Sequence, residues 1–409
     1  MPYNFFTSIF LNTMINRHPA TLLRTLPGVL LNILLAASFF LLPAASQAAY
    51  LAGAAGDAVA APAEHTQQLQ QLQQLALKHQ VCTAALVYIR GGQIQEPLFA
   101  KGCEEAAMPD ASSIFQAASL SKPLFAYALL KLAAQGKLAL DAPLMQYLPQ
   151  GYLHLTRPGE ANSPREPFTD PRLQKVTARM LLQHTSGLPN FGNRLAFEFE
   201  PGTQWRYSGE GYMLLQAAIE SITGMGLQAW MQQTVFTPLG MQSSSYEAQQ
   251  EWQHQIIAGS LQGKALPSQL RSGRQAVAAA SLHTSITDYA RFVQAVLKDA
   301  ELQKQILERP VMADPGNQVA WSLGWGLAHT SSAEHAPLLW HWGNNYGYRA
   351  FVIASPAKGD AMILLTGSDQ GLKLAQALTA NVIPGQLSLF QFPLLGLKSG
   401  FLCQALGIC

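Results

Sequence analysis

In the stretch FQAASLSKPLFAYALLKLAAQGKL, Ser119 stands three residues before Lys122 at the mouth of an apolar helix. At helical spacing residues i and i+3 share a face, so the two side chains can touch. The free N–H groups and the dipole at a helix start favour developing negative charge. A lysine held against an apolar wall is disfavoured in its charged form and can take a proton from a serine hydroxyl. Pro123 falls in the first helical turn, where the ring is tolerated. The pair is therefore a candidate nucleophile and base. Taken alone, an SxxK spacing is common by chance, and two ordinary surface residues are its plain alternative.

Two further segments change the weight of that pair. FEPGTQWRYSGEGYMLLQ puts Tyr207 just before a helix, and LLWHWGNNYGYRAF puts His341, Trp342 and Gly343 on a strand. Together SLSK, the HTSGLP turn, PGTQWRYSGEGY and the HWG triplet resemble, in family order, the serine β-lactamase and penicillin-binding protein superfamily. The branch they resemble holds the class C β-lactamases, DD-peptidases and esterases, and the resemblance covers about residues 68 to 385.

The resemblance implies that Ser119 attacks a carbonyl and becomes acylated, with Lys122 and Tyr207 sharing the proton work; either is the base. It also implies an oxyanion hole from the N–H groups of Ser119 and of Asn344, after Gly343. His341 would line the strand side and bond the substrate or Tyr207, and Arg349 is a candidate partner for a substrate carboxylate. His184, in QHTSGLP, is read as holding a turn. Two departures stand out: Gly209 replaces the asparagine two positions after the tyrosine, and His341 replaces the lysine of the KTG triplet. A histidine is mostly neutral at pH 7, so the fixed positive charge is lost. Both changes point away from an efficient β-lactamase and toward a D-amino-acid peptidase or a carboxylesterase. A catalytically silent penicillin-binding or sensor domain is the alternative.

These residues need a scaffold. HTQQLQQLQQLALKHQ spaces leucines at helical intervals, and VCTAALVYIRGGQIQEPLFAKGC reads as a hairpin turning at Gly91-Gly92. The helix from Ser119 closes at Gly136, and a proline-rich, loop-rich stretch follows from Leu148 to Val176. VTARMLLQHTSGLPNF predicts a short helix and turn; GYMLLQAAIESITG and SITDYARFVQAVLKD predict amphipathic helices. WSLGWGLAH, LLWHWGNNYGYRAFVIASP and DAMILLTGS predict antiparallel strands, and QGLKLAQALTANVIP a last helix. Strands from both ends with helices between them predict an α+β fold: one antiparallel sheet flanked by helices, with an inserted all-helical region.

The organisation expected is a signal peptide over 1–48, an Ala/Gly-rich linker over 49–66, a hydrolase domain over 67–385 and an apolar tail over 386–409. Arginines precede the apolar run from Leu26 to Leu42, and Ser46 and Ala48 give the small-x-small pattern for cleavage after Ala48. The product would be periplasmic or secreted; an uncleaved anchor is the rival, and the N-terminal segment or the tail is the route to a membrane. Export permits disulfides, and the two local pairings, Cys82–Cys103 and Cys403–Cys409, are preferred over four free thiols. The chain has 409 residues, net charge +2 and only 12% charged residues, and shows no basic run with aromatics. No nucleic-acid partner is expected. Without CxxC or HExxH spacing no metal is expected, nor any cofactor. The partner is a small-molecule or peptide substrate.

Overall fold

A computed structural model describes residues 63–397, apart from 161, 193, 268–274 and 330–335. The segment over 1–48 and the cysteines at 403 and 409 lie outside the described residues. Helix α1 (63–79) lays Leu72 and Ala76 against the sheet that follows. Strand β1 (Ala84–Arg90) turns at Gly91-Gly92, both with positive φ, into β2 (Gln93–Ile94) and β3 (Leu98–Ala100). Both short strands pair antiparallel with β1, and the hairpin brings Cys82 to Cys103, which are disulfide-bonded.

The short strand β4 (Phe115–Ala118) leads into α2 (Ser121–Ala134), and the intervening region carries β5 (Tyr152–Leu155), β6 (Arg165–Phe168) and helices α3 (Ala178–Leu182), α4 (Glu210–Thr223), α5 (Leu227–Met231) and α6 (Thr237–Leu239). The hairpins β5–β6 and β7 (Ser260–Leu261)–β8 (Lys264–Ala265) stand apart from the main sheet, and β4 pairs with β9 (Leu282–Thr284). Helices α7 (Ile286–Lys298) and α8 (Ala300–Glu308) precede the closing strands: β10 (Val311–Asp314), β11 (Val319–Ser322), β12 (Trp325–Ala328), β13 (Leu338–Asn345), β14 (Tyr348–Ser355) and β15 (Asp360–Thr366). A short α9 (Ala375–Thr379) ends the regular elements.

The main sheet has nine strands in the order β10-β11-β12-β13-β14-β15-β1-β2, with β3 also on β1, so both ends of the chain complete one sheet as expected. Residues alternate across its two faces. Ala85, Val87 and Ile89 of β1 join the core shared with α2 and α7, whereas Ala84, Leu86 and Tyr88 join the core beneath α1 and the C-terminal segment. The fold is α+β, as the order of the elements indicated.

Two segments differ from the sequence reading. The proline-rich stretch holds the β5–β6 hairpin, with Tyr152 opposite Phe168 and Leu155 opposite Arg165. Its prolines hid the strands, since proline is confined to sheet edges and this hairpin consists only of edges. The apolar residues after 385 are no appendage: Leu387, Leu389, Phe390, Phe392 and Leu395 are buried in the outer core. Among the described residues no helix is long and apolar enough to cross a membrane.

Candidate active site

Ser119 sits in the turn between β4 and α2, one residue after Ala118, whose φ of 50° is left-handed. A non-glycine residue there is strained and is held only by its surroundings. The holding groups are present. The Ser121 hydroxyl donates to the Ala118 carbonyl at 2.6 Å and accepts from the Leu282 N–H at 3.0 Å. The Tyr289 and Tyr246 hydroxyls donate to the carbonyls of Leu120 (3.0 Å) and Ser121 (2.7 Å). Every bond fixes the backbone on which Ser119 stands.

Lys122 is wholly buried; its Nζ lies 3.0 Å from Ser119 Oγ and donates to the Ala279 carbonyl at 2.8 Å. Aromatic faces close the other sides, with the Tyr207 ring centroid 4.8 Å and the Tyr212 centroid 5.5 Å from the nitrogen. Among the described residues no carboxylate pairs with it, and burial pulls its pKa from 10.5 to about 7. The amine is neutral often enough near pH 7 to accept the serine proton.

Tyr207 arrives from the loop before α4, and His184 holds that loop. The His184 carbonyl accepts from the Arg206 N–H at 2.9 Å, and its Nδ1 accepts from the Ser208 N–H at 3.1 Å, so Tyr207 is pinned on both sides. With Nδ1 accepting, the neutral ring carries its proton on Nε2. The His184 and Tyr207 rings lie 4.4 Å apart, and Trp342 covers Tyr207 at 4.9 Å. The Tyr207 hydroxyl is buried and, among the described residues, makes no hydrogen bond of full geometry, although Ser119 stands near enough to pull its pKa down slightly. Burial outweighs that pull and pushes the phenol well above its ordinary range. It stays protonated.

Strand β13 brings the triplet. His341 and Gly343 share one face of the strand, and a Cβ on Gly343 would lie 2.3 Å from the Ala117 carbonyl oxygen. Only glycine lets β13 approach β4 this closely. Asn344 follows, opposite Arg349 on β14. Of its two expected partners His341 does not bond Tyr207: the ring is completely buried, and its Nδ1 donates to the Trp342 carbonyl at 2.8 Å. Burial and the nearby Lys122 amine hold its pKa down to about 3, so it supplies no positive charge. Arg349 is engaged within the sheet. Its guanidinium donates to the carbonyls of Asn345 and Tyr348, both at 2.8 Å, bracing the β13–β14 turn.

Several participants carried no signal in the sequence. The Ala279 carbonyl is a backbone group, which no motif can announce. Glu210 and His154 form a buried pair, His154 Nε2 to Glu210 Oε1 at 3.2 Å, at the start of α4. Burial pushes the Glu210 carboxyl up to about 8 and the His154 imidazole down, so the pair is neutral, the carboxyl donating. Among the described residues no group of side chains could hold a metal ion.

The profile of the beta-lactamase family matches residues 62–384, a span that contains Ser119, Lys122, Tyr207 and His341. The chain belongs to the beta-lactamase family. That is a family of serine hydrolases. The chain is 25% identical over 308 residues to penicillin-binding protein 4* of Bacillus subtilis, covering 65% of this chain and 63% of that protein. It is 26% identical over 323 residues to esterase EstB of Burkholderia gladioli, covering 63% of this chain and 78% of the esterase. The fold is similar to D-alanine carboxypeptidase AmpC from Burkholderia cenocepacia, with a TM-score of 0.62 at 17% identity over 78% of this chain and 99% of that one. It is also similar to a D-stereospecific amidohydrolase from Streptomyces, with a TM-score of 0.60 at 18% identity over 79% of this chain and 99% of that one.

Proposed function

We propose that the protein hydrolyses esters or D-amino-acid peptides through an acyl-enzyme on Ser119, with Lys122 as the general base. The observation that carries this is the buried amine, free of carboxylate partners among the described residues, 3.0 Å from the serine hydroxyl. Neutral Lys122 takes the Ser119 proton as Oγ bonds to the carbonyl carbon, and the carbonyl π pair moves onto oxygen. The N–H groups of Ser119 and Asn344 would receive that oxyanion, which the close seating of Gly343 on Ala117 supports.

Collapse of the intermediate expels the leaving oxygen or nitrogen, which takes its proton from the Lys122 ammonium, directly or through the Tyr207 hydroxyl. Water then attacks the ester carbonyl, giving its proton to Lys122, and the same amine reprotonates Ser119. The contrast between the two candidate bases supports these roles: burial drives Lys122 toward its neutral, basic form and Tyr207 toward its neutral, acidic form. His341, held neutral by burial, brings no positive charge to the triplet position, which argues against substrates recognised there by a carboxylate.

Replacement of Ser119 by alanine should abolish hydrolysis of p-nitrophenyl acetate while leaving the thermal unfolding transition in place. Undiminished turnover in the variant would overturn the assignment, whereas a wild type with neither turnover nor a covalent adduct over a broad ester and peptide panel would leave a binding domain as the better reading. The Cys82–Cys103 disulfide supports an exported, periplasmic or secreted protein.

A further inference from the structure

A cavity of about 560 Å³ lies beside the reaction centre, walled by Gln116, Phe191, Leu266, Ala280, Asn345 and Tyr346. Gln116 is three residues before Ser119, Ala280 follows the carbonyl that holds Lys122, and Asn345 follows Asn344. No Lys, Arg, Asp or Glu occurs among the described residues that line it. Two of its amides are engaged with each other: Asn345 Nδ2 donates to Gln116 Oε1 at 3.2 Å and reaches the Ala280 carbonyl at 3.4 Å.

Phe191 owes its place to Gly209. A Cβ at position 209 would lie 2.5 Å from Phe191 Cζ and 2.4 Å from the Asn190 carbonyl oxygen, so the ring and its loop fill the room a side chain there would need. The loop is fastened. Asn190 Oδ1 accepts from the Gly209 N–H at 3.0 Å, the Asn190 carbonyl from the Glu210 N–H at 2.9 Å, and the Pro189 carbonyl from the Ser208 hydroxyl at 2.8 Å. Phe191 nevertheless stays 43% exposed, and Tyr346 is 74% exposed, so both rings keep surface for a ligand.

Resting on the acyl-enzyme reading above, we propose that Phe191 is a specificity-determining residue and that this cavity receives an uncharged, apolar acyl group. Neither Lys122 nor Tyr207, which must face the departing atom, lines the cavity, so it serves the acyl side of the substrate. With a phenyl ring standing on Gly209, apolar contact replaces hydrogen bonding beside the carbonyl. Among the described walls an acyl carboxylate would meet the Phe191 and Tyr346 rings and no lysine or arginine, and its desolvation against those rings is costly.

The test compares kcat/KM for p-nitrophenyl acetate, butyrate, phenylacetate and monosuccinate on the wild type, Phe191→Ala, Phe191→Leu and Ser119→Ala. In the wild type, phenylacetate should exceed acetate, and butyrate should exceed monosuccinate, each by about tenfold or more, the factor expected from burying one apolar group. Phe191→Ala should cut the phenylacetate-to-acetate ratio at least about fivefold, and Phe191→Leu should restore most of it; these are ratios, so a general loss of fold does not imitate them. Monosuccinate turned over as fast as butyrate, or a ratio indifferent to Phe191→Ala, would overturn the proposal alone. Full turnover of every ester by Ser119→Ala would overturn the underlying reading and the proposal with it.

Discussion

Replacing Lys122 by methionine removes the buried amine while nearly keeping its volume, and the outcome has two sides. Folding takes this group from a pKa of 10.5 to about 7, a cost of about 5 kcal/mol for burying the charged form. The unfolded chain keeps the proton up to about pH 10, whereas the native state releases it near 7. Between those values the native state binds fewer protons, so stability rises with pH; below 7 both states are protonated and the full cost is present. From about pH 5.5 to about pH 9 the wild type should therefore gain about 3 kcal/mol from this one group. Lys122→Met lacks that gain, so its stability advantage over the wild type should be about 3 kcal/mol larger at the acidic end, as read by urea unfolding of both proteins. Groups such as Glu210 titrate in both proteins and cancel in the difference. Activity should move the other way. Ester hydrolysis by the wild type should fall about tenfold per pH unit below 7, and Lys122→Met and Lys122→Arg should both be inactive, because a guanidinium does not deprotonate. An advantage independent of pH, or a wild-type rate profile flat from about pH 5 to 8, would refute the reasoning that Lys122 is a poised neutral base.

Three other outcomes follow from the geometry. Gly343→Ala places a methyl 2.3 Å from the Ala117 carbonyl oxygen and must push β13 off β4. Because displacements near 1 Å can cost about a hundredfold, kcat should drop by that order, as steady-state ester kinetics would show. His184→Ala orphans the Ser208 N–H and unpins Tyr207, which should lower kcat by about tenfold or more and stability by about 1–3 kcal/mol, measured by stopped assays and urea unfolding. Reduction or Cys82→Ser/Cys103→Ser should lower stability by about 2–4 kcal/mol in calorimetry, with ester kinetics retained, because the bridge closes the base of the β1–β3 hairpin and contains neither Ser119, Lys122 nor Tyr207.

The meeting of Ser119, Lys122 and Tyr207 was legible because these residues keep types that the proposed chemistry demands at fixed local spacing. Ser119 and Lys122 are three residues apart, and the aromatic and triplet motifs each sit at the end of a readable element. The strands of the main sheet were legible from short apolar runs cut by Gly, Asn and Pro, and the Gly91-Gly92 turn from its glycines. What the sequence concealed is what long-range burial decides. Nothing local shows that His341 faces a closed core rather than the cleft, or that Arg349 is occupied by the carbonyls of Asn345 and Tyr348. The tilt of Lys122 toward neutrality depends on Tyr207, Tyr212 and Ala279 meeting around it, from segments about 90 to 160 residues away. The replacement at Gly209 was visible as a loss; that Phe191 fills the place could be seen only once the loop was folded onto it.

The most direct measurement is mass spectrometry of the intact protein, and of its peptides, after exposure to a fluorophosphonate and, by rapid acid quench, to an activated ester. Covalent mass confined to the peptide carrying Ser119, and absent from Ser119→Ala, is the result this account predicts. A modification mapped to another residue, or ester turnover surviving intact in Ser119→Ala, would contradict it.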